Sequence, residues 1–261
     1  MYGWRGRVGL VSPSRGETLH YEFCKVAPEG VIPVGTALGV QRLVADELGA
    51  ILDRYEAAVR EMVYEECDVI QLGGTPPVTS GVPGTEERLL ERARAVASVP
   101  VFTGVQAEIE AMRAVGARRL AVGTPYTEAL TAKFQAYFQQ AGFEIPVAYG
   151  LGIERNVELS KLPLHAAYRV AREVFERADG AVDAVHLTCP RWATITVLER
   201  LEQDLGVPVT SSSQATIYGA LVRLRIHDRI DGYGSLLAGL GRPSAVGDQP
   251  PAASFEMTAR Y

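Results

Sequence analysis

The segment Asp183-Ala-Val-His-Leu-Thr-Cys-Pro190 decides the fold, because it repeats the pattern of Asp68-Val-Ile-Gln-Leu-Gly-Gly-Thr75 in the first half of the chain. Each segment begins with an aspartate, continues as an apolar run of strand length and ends in small residues. In this alignment Cys189 matches Gly74. A site shared by the two segments would therefore have a thiol on one side and no side chain on the other.

Two further pairs of segments repeat in the same order. Arg7–Ser14 (RVGLVSPS) resembles Arg119–Tyr126 (RLAVGTPY), and Ser98–Gly104 (SVPVFTG) resembles Gly206–Ser212 (GVPVTSS). The offsets between the halves are 112 residues (7 to 119), 115 (68 to 183) and 108 (98 to 206). Such regular repetition predicts two similar lobes, and the cleft between them is where a site is expected.

Short β-rich runs alternate with longer segments of helical period, which is typical of parallel sheets with crossover helices. We predict an α/β fold of two pseudo-symmetric Rossmann-like lobes. Each lobe is a four-stranded, mainly parallel sheet with flanking helices, and the active site lies in the cleft between the lobes. The predicted strands are 7–12, 31–35, 68–73, 100–104, 119–123, 145–149, 184–188 and 208–212.

The lobes are assigned boundaries on the same pattern. Residues 1–113 form the first lobe together with a C-terminal segment of about 214–240, and 114–213 form the second. Residues 241–261 are predicted to be an irregular tail. Since no low-complexity linker separates the lobes, a short hinge near 105–118 is expected.

Apolar periodicity predicts the helices. From Leu43 to Cys67 apolar residues recur every three or four positions, at Leu48, Ile51, Leu52, Tyr55, Val59 and Val63. Thr85, followed by two glutamates, predicts an N-cap with acids in the first turn. Helices are also predicted for Ala107–Val115 and Thr127–Gly142, the second ended by its glycine.

The composition favours a protein that acts on small molecules. A net charge of −5 over 261 residues argues against nucleic acid as a partner. The apolar runs are of strand length, so no membrane span is expected, and the N-terminal segment does not resemble a secretory signal. We expect a cytoplasmic protein that binds a small carboxylic acid; the oligomeric state, a homo-oligomer included, is left open.

Metals and cofactors are not expected. Cys24, Cys67 and Cys189 are too few and scattered for a disulfide framework or a zinc site, and the four histidines lack ligand spacing. The loop Gly73–Gly81 follows a strand but has neither a dinucleotide nor a Walker motif. Cys24 and Cys67 are predicted to be buried structural residues, and His186 a satisfied core residue.

Four loops at the carboxyl ends of predicted strands are candidate binding loops: 12–18, 73–81, 123–128 and 188–194. Ligands gather at this edge of parallel sheets. The loops contain no lysine, only Arg15 and Arg191 as cations, and many hydroxyl residues: Ser12, Ser14, Thr18, Thr75, Thr79, Ser80, Thr124, Tyr126, Thr127, Thr188 and Thr194. Each alone suits an ordinary turn or cap. Their convergence predicts a cleft that holds a carboxylate through neutral donors.

Cys189 is predicted to end a buried strand, with Pro190 as the first residue of a helix that continues through Thr194–Leu201. A helix N-terminus stabilises a thiolate, so proton exchange near neutral pH is expected. The alternative is a cysteine that simply fits a tight turn.

Taken together, the motifs resemble the aspartate/glutamate racemase superfamily, especially its branch of arylmalonate decarboxylase and maleate cis-trans isomerase. The resemblance implies two pseudo-symmetric α/β lobes and cofactor-free chemistry at a carbon next to a carboxylate. It covers most of the chain, through Val8–Pro13, Leu72–Thr75, Gly123–Tyr126, Leu151–Ile153, Leu187–Cys189, Pro208–Ser213 and Gly232–Gly234.

Racemases of this superfamily use a cysteine on each lobe, and Gly74 occupies the first of these positions. This argues against racemisation and against an isomerase route that begins with thiolate addition there. The remaining arrangement resembles arylmalonate decarboxylase, in which loss of carbon dioxide leaves an enediolate. By resemblance, Thr75 and Tyr126 hydrogen-bond the retained carboxylate and Cys189 protonates the carbanion.

Two prolines depart from the decarboxylase pattern. Pro76 stands where that family has serine and Pro190 where it has glycine, so N–H donors are lost. Ser14, Thr127 or the Cys189 amide would have to rebuild the anion site. Asn156 is closer to the isomerase pattern and suits a small, polar substrate. The predicted substrate-binding residues are Ser14, Gly74, Pro76, Thr127, Asn156 and Pro190.

Three hypotheses follow. The first is a cofactor-independent decarboxylase of a substituted malonate or related small dicarboxylic acid. The second is an isomerase or racemase of the same superfamily. The third is a degenerate member that binds a small acid without turnover, its two prolines marking lost catalysis.

Overall fold

The computed structural model describes residues 2–40, 51–79 and 84–241. Within them the chain alternates strands and helices as predicted. The strands are β1 (Gly6–Ser12), β2 (Val31–Ala37), β3 (Val69–Leu72), β4 (Val101–Thr103), β5 (Arg119–Tyr126), β6 (Glu144–Ile153), β7 (Ala184–Leu187) and β8 (Val209–Ser211).

The helices cover the faces of the sheets and make the crossovers between parallel strands. In the described residues they are α1 (Thr18–Val26), α2 (Ile51–Tyr64), α3 (Thr75–Thr79), α4 (Thr85–Val96), α5 (Gly104–Ala114), α6 (Glu128–Gln140), α7 (Asn156–Leu159), α8 (His165–Arg177), α9 (Leu198–Leu205), α10 (Ser212–Arg223) and α11 (Ser235–Ala238).

The strands form two sheets of four with identical connectivity. The first has the order β2-β1-β3-β4 and the second β6-β5-β7-β8, and every neighbouring pair is parallel. Each strand of the first sheet thus has a counterpart at the same place in the second. The predicted pair of pseudo-symmetric α/β lobes is confirmed.

The lobes are packed together as well as repeated. Each of the two buried hydrophobic clusters contains residues of both sheets: one joins Val8 and Leu10 to Val185 and Leu187, and the other joins Ile70 to Val122. The late helix α10 packs against α5 and α1 of the first half. This agrees with a return of the chain to the first lobe, although the predicted boundaries and hinge stay predictions.

Helix α2 confirms the apolar stripe where it is described. Ile51, Tyr55 and Val59 are buried. Residues 41–50 and the side chain of Leu52, both parts of the predicted stripe, lie outside the described residues, as does the predicted tail from residue 242 onward.

Helix α4 corrects one predicted cap. Thr85 is its first residue, and the N-cap is Gly84, whose φ of +79° requires a residue without Cβ. Glu86 and Glu87 lie in the first turn, as expected. The helix predicted to start at Thr127 is confirmed, because the Thr127 side chain caps α6 by accepting a hydrogen bond from the Leu130 amide.

The described residues contain neither a membrane-spanning helix nor a group of side chains arranged to hold a metal. None of the described helices is long and apolar enough to cross a membrane. No group of three or more histidine, cysteine or acidic side chains in this part of the chain is arranged to hold a metal ion.

Candidate functional site

A small cavity lies at the carboxyl ends of the strands, where the two lobes face each other. Its volume is about 50 Å³, which suits a small acid better than a drug-sized ligand. All four predicted loops contribute to it. The lining residues are Ser12, Pro13, Ser14, Gly16, Leu19, Gly73, Gly74, Thr75, Pro76, Tyr126, Asn156, Pro190 and Arg191.

The cavity brings together most of the predicted site residues. Seven of the nine line it, and the two that do not are Cys189 and Thr127. Thr127 serves as the α6 cap, so the prediction that it binds substrate has no support in this geometry. Cys189 lies directly behind the wall, between the lining residue Pro190 and strand β7.

Cys189 and Gly74 occupy matching places in the two lobes, two residues after β7 and β3. Both have positive φ, +127° for Cys189 and +94° for Gly74. Glycine adopts such angles freely, whereas an L-residue is strained by of order 1–3 kcal/mol. In this conformation the Cys189 sulfur is hydrogen-bonded to Tyr126 and lies 3.4 Å from the Arg191 amide.

The predicted helix at Pro190 does not form, and this corrects the expected chemistry of the thiol. Residues 190–197 are turns and irregular backbone, and the next helix, α9, begins at Leu198. Tertiary hydrogen bonds from α1 hold the segment instead. Thr18 donates to the Arg191 carbonyl (2.9 Å), and the Glu22 carboxylate accepts from the amides of Thr194 and Ile195 (2.7 and 2.9 Å).

The thiol of Cys189 is therefore a protonated group at neutral pH. Its side chain is fully buried, and burial raises its pKa to about 11. A hydrogen bond from the Tyr126 hydroxyl, the Arg191 amide (3.4 Å from Sγ) and the Arg191 charge act in the opposite direction without reversing the shift. The thiol suits proton donation, not proton abstraction.

Tyr126 lines the cavity and hydrogen-bonds to this sulfur. Its ring stacks on Phe134, with centroids 5.4 Å apart and planes within 7°. Burial, followed by the neighbouring Cys189, raises the pKa of its phenol well above the ordinary value. The hydroxyl thus keeps its proton and can donate a hydrogen bond to an anion.

Thr75 lines the cavity, but its hydroxyl is bonded to a buried acid. Its hydroxyl donates to the carboxylate of Glu108 (2.8 Å), so its one proton is not directed at the cavity. The prediction that this hydroxyl holds the retained carboxylate is not supported by this hydrogen bond.

Glu108, on α5, was missed by sequence reasoning. It is 1% exposed, and its two oxygens accept four hydrogen bonds, Oε1 from Thr75 and Ser212, and Oε2 from His186 and Thr188, at 2.8–2.9 Å. Four donors fill the lone-pair sites of a carboxylate. A glutamate among apolar helix residues in the sequence was the only available signal.

This Glu108 network joins the lobes behind the cavity. Ser212 also accepts from the Cys189 amide (2.8 Å), which removes that amide from the candidate anion donors. His186 is buried and bonded to Glu108 and Thr210, as predicted for a satisfied core histidine. Cys67 is buried as predicted, but Cys24 is exposed, which corrects the prediction for that residue.

Gly74 cannot be replaced by a larger residue in this geometry. An added Cβ would lie 2.2 Å from Cγ of Pro13 and 3.1 Å from the Tyr55 hydroxyl. The Pro13 ring is closed onto the backbone and cannot swing away. The first lobe thus has no room for a thiol at the position that matches Cys189.

Arg191 contributes the positive charge of the cavity, which corrects the expectation of neutral donors alone. Its Nη1 donates to Ser14 Oγ (3.1 Å) and to the Arg15 carbonyl, and its Nε to the Asn156 carbonyl (3.1 Å). Ser14 and Asn156 also approach each other, with Nδ2 3.5 Å from Oγ. Ser14, Asn156 and Arg191 thus meet on one wall of the cavity.

The fold and this site define a class of protein: a two-lobed α/β protein with one protonated thiol beside a small cationic cavity. Comparisons with known proteins agree. Residues 8–237 match the sequence model of the arylmalonate decarboxylase family, and the chain belongs to that family.

Two kinds of enzyme are found among the similar proteins, maleate isomerases and arylmalonate decarboxylase. A maleate isomerase of Geobacillus stearothermophilus is 24% identical over 247 residues, which cover 89% of this chain and 97% of that protein. An arylmalonate decarboxylase of Bordetella bronchiseptica is 22% identical over 215 residues (82% and 88%). The structure of the Nocardia farcinica maleate cis-trans isomerase bound to TRIS superposes with a TM-score of 0.81 at 27% identity, covering 89% of this chain and 98% of that one. The relatives are thus enzymes of the expected superfamily branch.

We predict that Glu108→Leu lowers the free energy of unfolding by at least about 3 kcal/mol, because it leaves buried donors without an acceptor. Glu108→Gln should cost less, since an amide oxygen can still accept from Thr75 and Ser212. Urea unfolding followed by circular dichroism measures both. Glu110→Leu on the same helix is the control, because Glu110 pairs with Arg223 at the partly exposed surface. Equal losses at 108 and 110 would contradict the role of the network.

We predict that Gly74→Ala destabilises the protein more than Gly142→Ala. The φ angles nearly match, +94° and +96°, but a Cβ at Gly142 has nothing within 4 Å. Gly142→Ala should cost about 1–2 kcal/mol for its backbone conformation alone, and Gly74→Ala a further ~1–3 kcal/mol for overpacking against Pro13. Equal unfolding midpoints for the two variants would show that position 74 does have room.

We predict slow alkylation of Cys189 by iodoacetamide at pH 7, rising about tenfold per pH unit toward the pKa of about 11. The thiolate is the reactive form, and burial disfavours it. Peptide mapping by mass spectrometry gives the rate for each cysteine, and exposed Cys24 is the internal control. Labelling of Cys189 at pH 7 as fast as that of Cys24 would rule out a buried, protonated thiol.

Proposed function

We propose that the protein is a cofactor-independent decarboxylase of a small dicarboxylic acid of the malonate type. The observation that carries this proposal is the pairing of one protonated thiol, Cys189, with a glycine at the matching position. Decarboxylation needs no base and no nucleophile, but it does need one acid to protonate the product carbanion. The site has that acid on one side only.

The proposed reaction balances in two steps. The bond between the α-carbon and one carboxylate breaks, carbon dioxide leaves, and the electron pair moves into the retained carboxylate as an enediolate. The α-carbon then takes the proton of the Cys189 thiol, and solvent returns a proton to the sulfur. Because the thiol stands on one side, protonation is expected on one face of the intermediate.

The Tyr126 hydroxyl has a part in both steps. It donates a hydrogen bond to the Cys189 sulfur. In the proposed complex it turns to the retained carboxylate, and the sulfur then faces the α-carbon. A preorganised donor of this kind contributes about 3–4 kcal/mol to stabilisation of an oxyanion.

Isomerisation of a small unsaturated diacid is the second candidate. It is favoured by the relatives named maleate isomerase, because this chain matches them over nearly their whole length. That route needs a nucleophile that adds to the double bond. Gly74 cannot supply one, and the thiol of Cys189 would first have to lose a tightly held proton. The geometry therefore favours decarboxylation.

We predict that incubation with a substituted malonate in deuterated water releases carbon dioxide and gives a product deuterated in one enantiomer only. Maleate and amino acids are tested in parallel, and NMR follows gas release and deuterium uptake. Cys189→Ala should lower the rate by about 10²- to 10⁴-fold, the usual contribution of a general acid. Cys24→Ala, at an exposed cysteine, is the matched control and should keep the rate.

Other outcomes separate the alternatives. Full turnover by Cys189→Ala would remove this residue from the mechanism. Deuterium exchange or double-bond isomerisation without gas would favour an isomerase or racemase, and binding of acids without any turnover would favour a degenerate binding protein.

A further inference from the structure

We propose that Arg191 is the carboxylate receptor of the cavity and the group that stabilises the enediolate. This inference rests on the proposed decarboxylation and adds to it the residue that selects an anionic substrate. It follows from the charge balance of the cavity, from the donors that remain free, and from the direction in which charge moves during the reaction.

The Arg191 guanidinium carries a charge that no carboxylate of the described residues neutralises. All of its hydrogen-bond acceptors are neutral: the carbonyls of Arg15 and Asn156 and the hydroxyls of Ser14 and Ser160. These bonds use four of the five N–H groups, so one N–H of Nη2 and the uncompensated charge remain for a ligand. Two other partly buried arginines of the described residues are paired with acids, Arg223 with Glu110 and Arg92 with Glu56. An unneutralised guanidinium on a cavity wall is complementary to an anionic ligand.

Most other donors near the cavity are committed or missing. Pro76 and Pro190 have no N–H. The Cys189 amide donates to Ser212, and the Thr75 hydroxyl donates to Glu108. Among the lining side chains of the described residues, Arg191 is the charged donor. The neutral donors beside it are the Tyr126 hydroxyl, the Asn156 amide and the hydroxyls of Ser12 and Ser14.

The reaction itself decides which carboxylate Arg191 must hold. The retained carboxylate gains negative charge as it becomes an enediolate, so a cation there stabilises the transition state more than the ground state. At the departing carboxylate, which loses its charge, the same cation would slow the reaction. Arg191 is therefore assigned to the retained group, and the departing group faces the less polar wall of Leu19 and Pro13.

The location of Arg191 also places a bound carboxylate in contact with both lobes. The guanidinium reaches Ser14 and Arg15 after β1 from a loop that follows β7, and it holds Asn156 and Ser160 on its own side. A carboxylate beside Ser14 would thus contact both lobes through one side chain. The Arg191 charge also favours the thiolate of Cys189, which gives a second measurable effect.

The test compares Arg191→Met and Arg191→Lys with Arg15→Met as a matched control. Arg15 is an exposed cation next to Ser14 in the sequence, and its side chain does not line the cavity. Titration calorimetry with malonate and with maleate measures affinity, and the pH profile of Cys189 alkylation measures the local charge. Thermal unfolding confirms that each variant is folded.

We expect Arg191→Met to weaken binding of at least one of the two diacids by tenfold or more and to move the alkylation profile to higher pH. Arg191→Lys should retain the profile and part of the affinity, because lysine keeps the charge but lacks the planar array of guanidinium N–H donors. Arg15→Met should leave both the profile and the affinity unchanged. A purely structural bridge would make lysine and methionine equally damaging. That result would overturn the inference, as would binding within twofold of wild type in Arg191→Met.

Failure of this inference and failure of the proposed function give different results. If the function is wrong but the receptor is right, diacids bind in an Arg191-dependent way and no carbon dioxide is released. If the receptor is wrong, Arg191→Met keeps both diacid affinity and any turnover. A wild-type protein that binds neither malonate nor maleate at millimolar concentration would also overturn it.

Discussion

The buried carboxylate of Glu108 is the interaction on which the geometry of the site depends. An isolated charge in such a place would be strongly unfavourable, but four donors at 2.8–2.9 Å offset its desolvation. The donors come from strand ends of both lobes, so satisfying this one carboxylate requires the lobes to meet in one arrangement. Thr75 and, through Ser212, the Cys189 backbone take their positions from it.

The two lobes share a backbone and differ in chemistry. Gly74 and Cys189 both adopt positive φ two residues after a matching strand. In the first lobe glycine accepts this conformation freely, and the Pro13 ring fills the space that a side chain would need. In the second lobe a cysteine is held in a strained conformation, with its thiol beside Tyr126 and Arg191. A symmetric pair of lobes thus carries different side chains at matching positions.

The sequence predicted the parts of the molecule that repeat or alternate, because periodicity is a local property. All eight strands, the doubled topology and the meeting of four loops were accessible in this way. The error at Pro190 has a tertiary cause: the amides of Thr194 and Ile195 donate to Glu22, and these long-range hydrogen bonds override what the local sequence favours. Glu108 and Arg191 act through partners that are distant in sequence, 78 positions apart in the Glu108–His186 bond and 177 in the Arg191–Ser14 bond, and no local pattern marks them.

Burial and charge act on the Cys189 thiol in opposite directions, and their balance fits a proton donor better than a base. Burial raises the pKa to about 11, while Tyr126 and Arg191 favour the thiolate that remains after the proton is given up. Without these neighbours the thiolate formed by proton transfer would be less stable, and the pKa of the thiol would be higher. A thiol at a helix N-terminus would have lost the proton before the substrate arrived. The observed surroundings keep the proton in place at neutral pH and stabilise the anion formed when it leaves, which is the requirement for an acid that acts once per turnover.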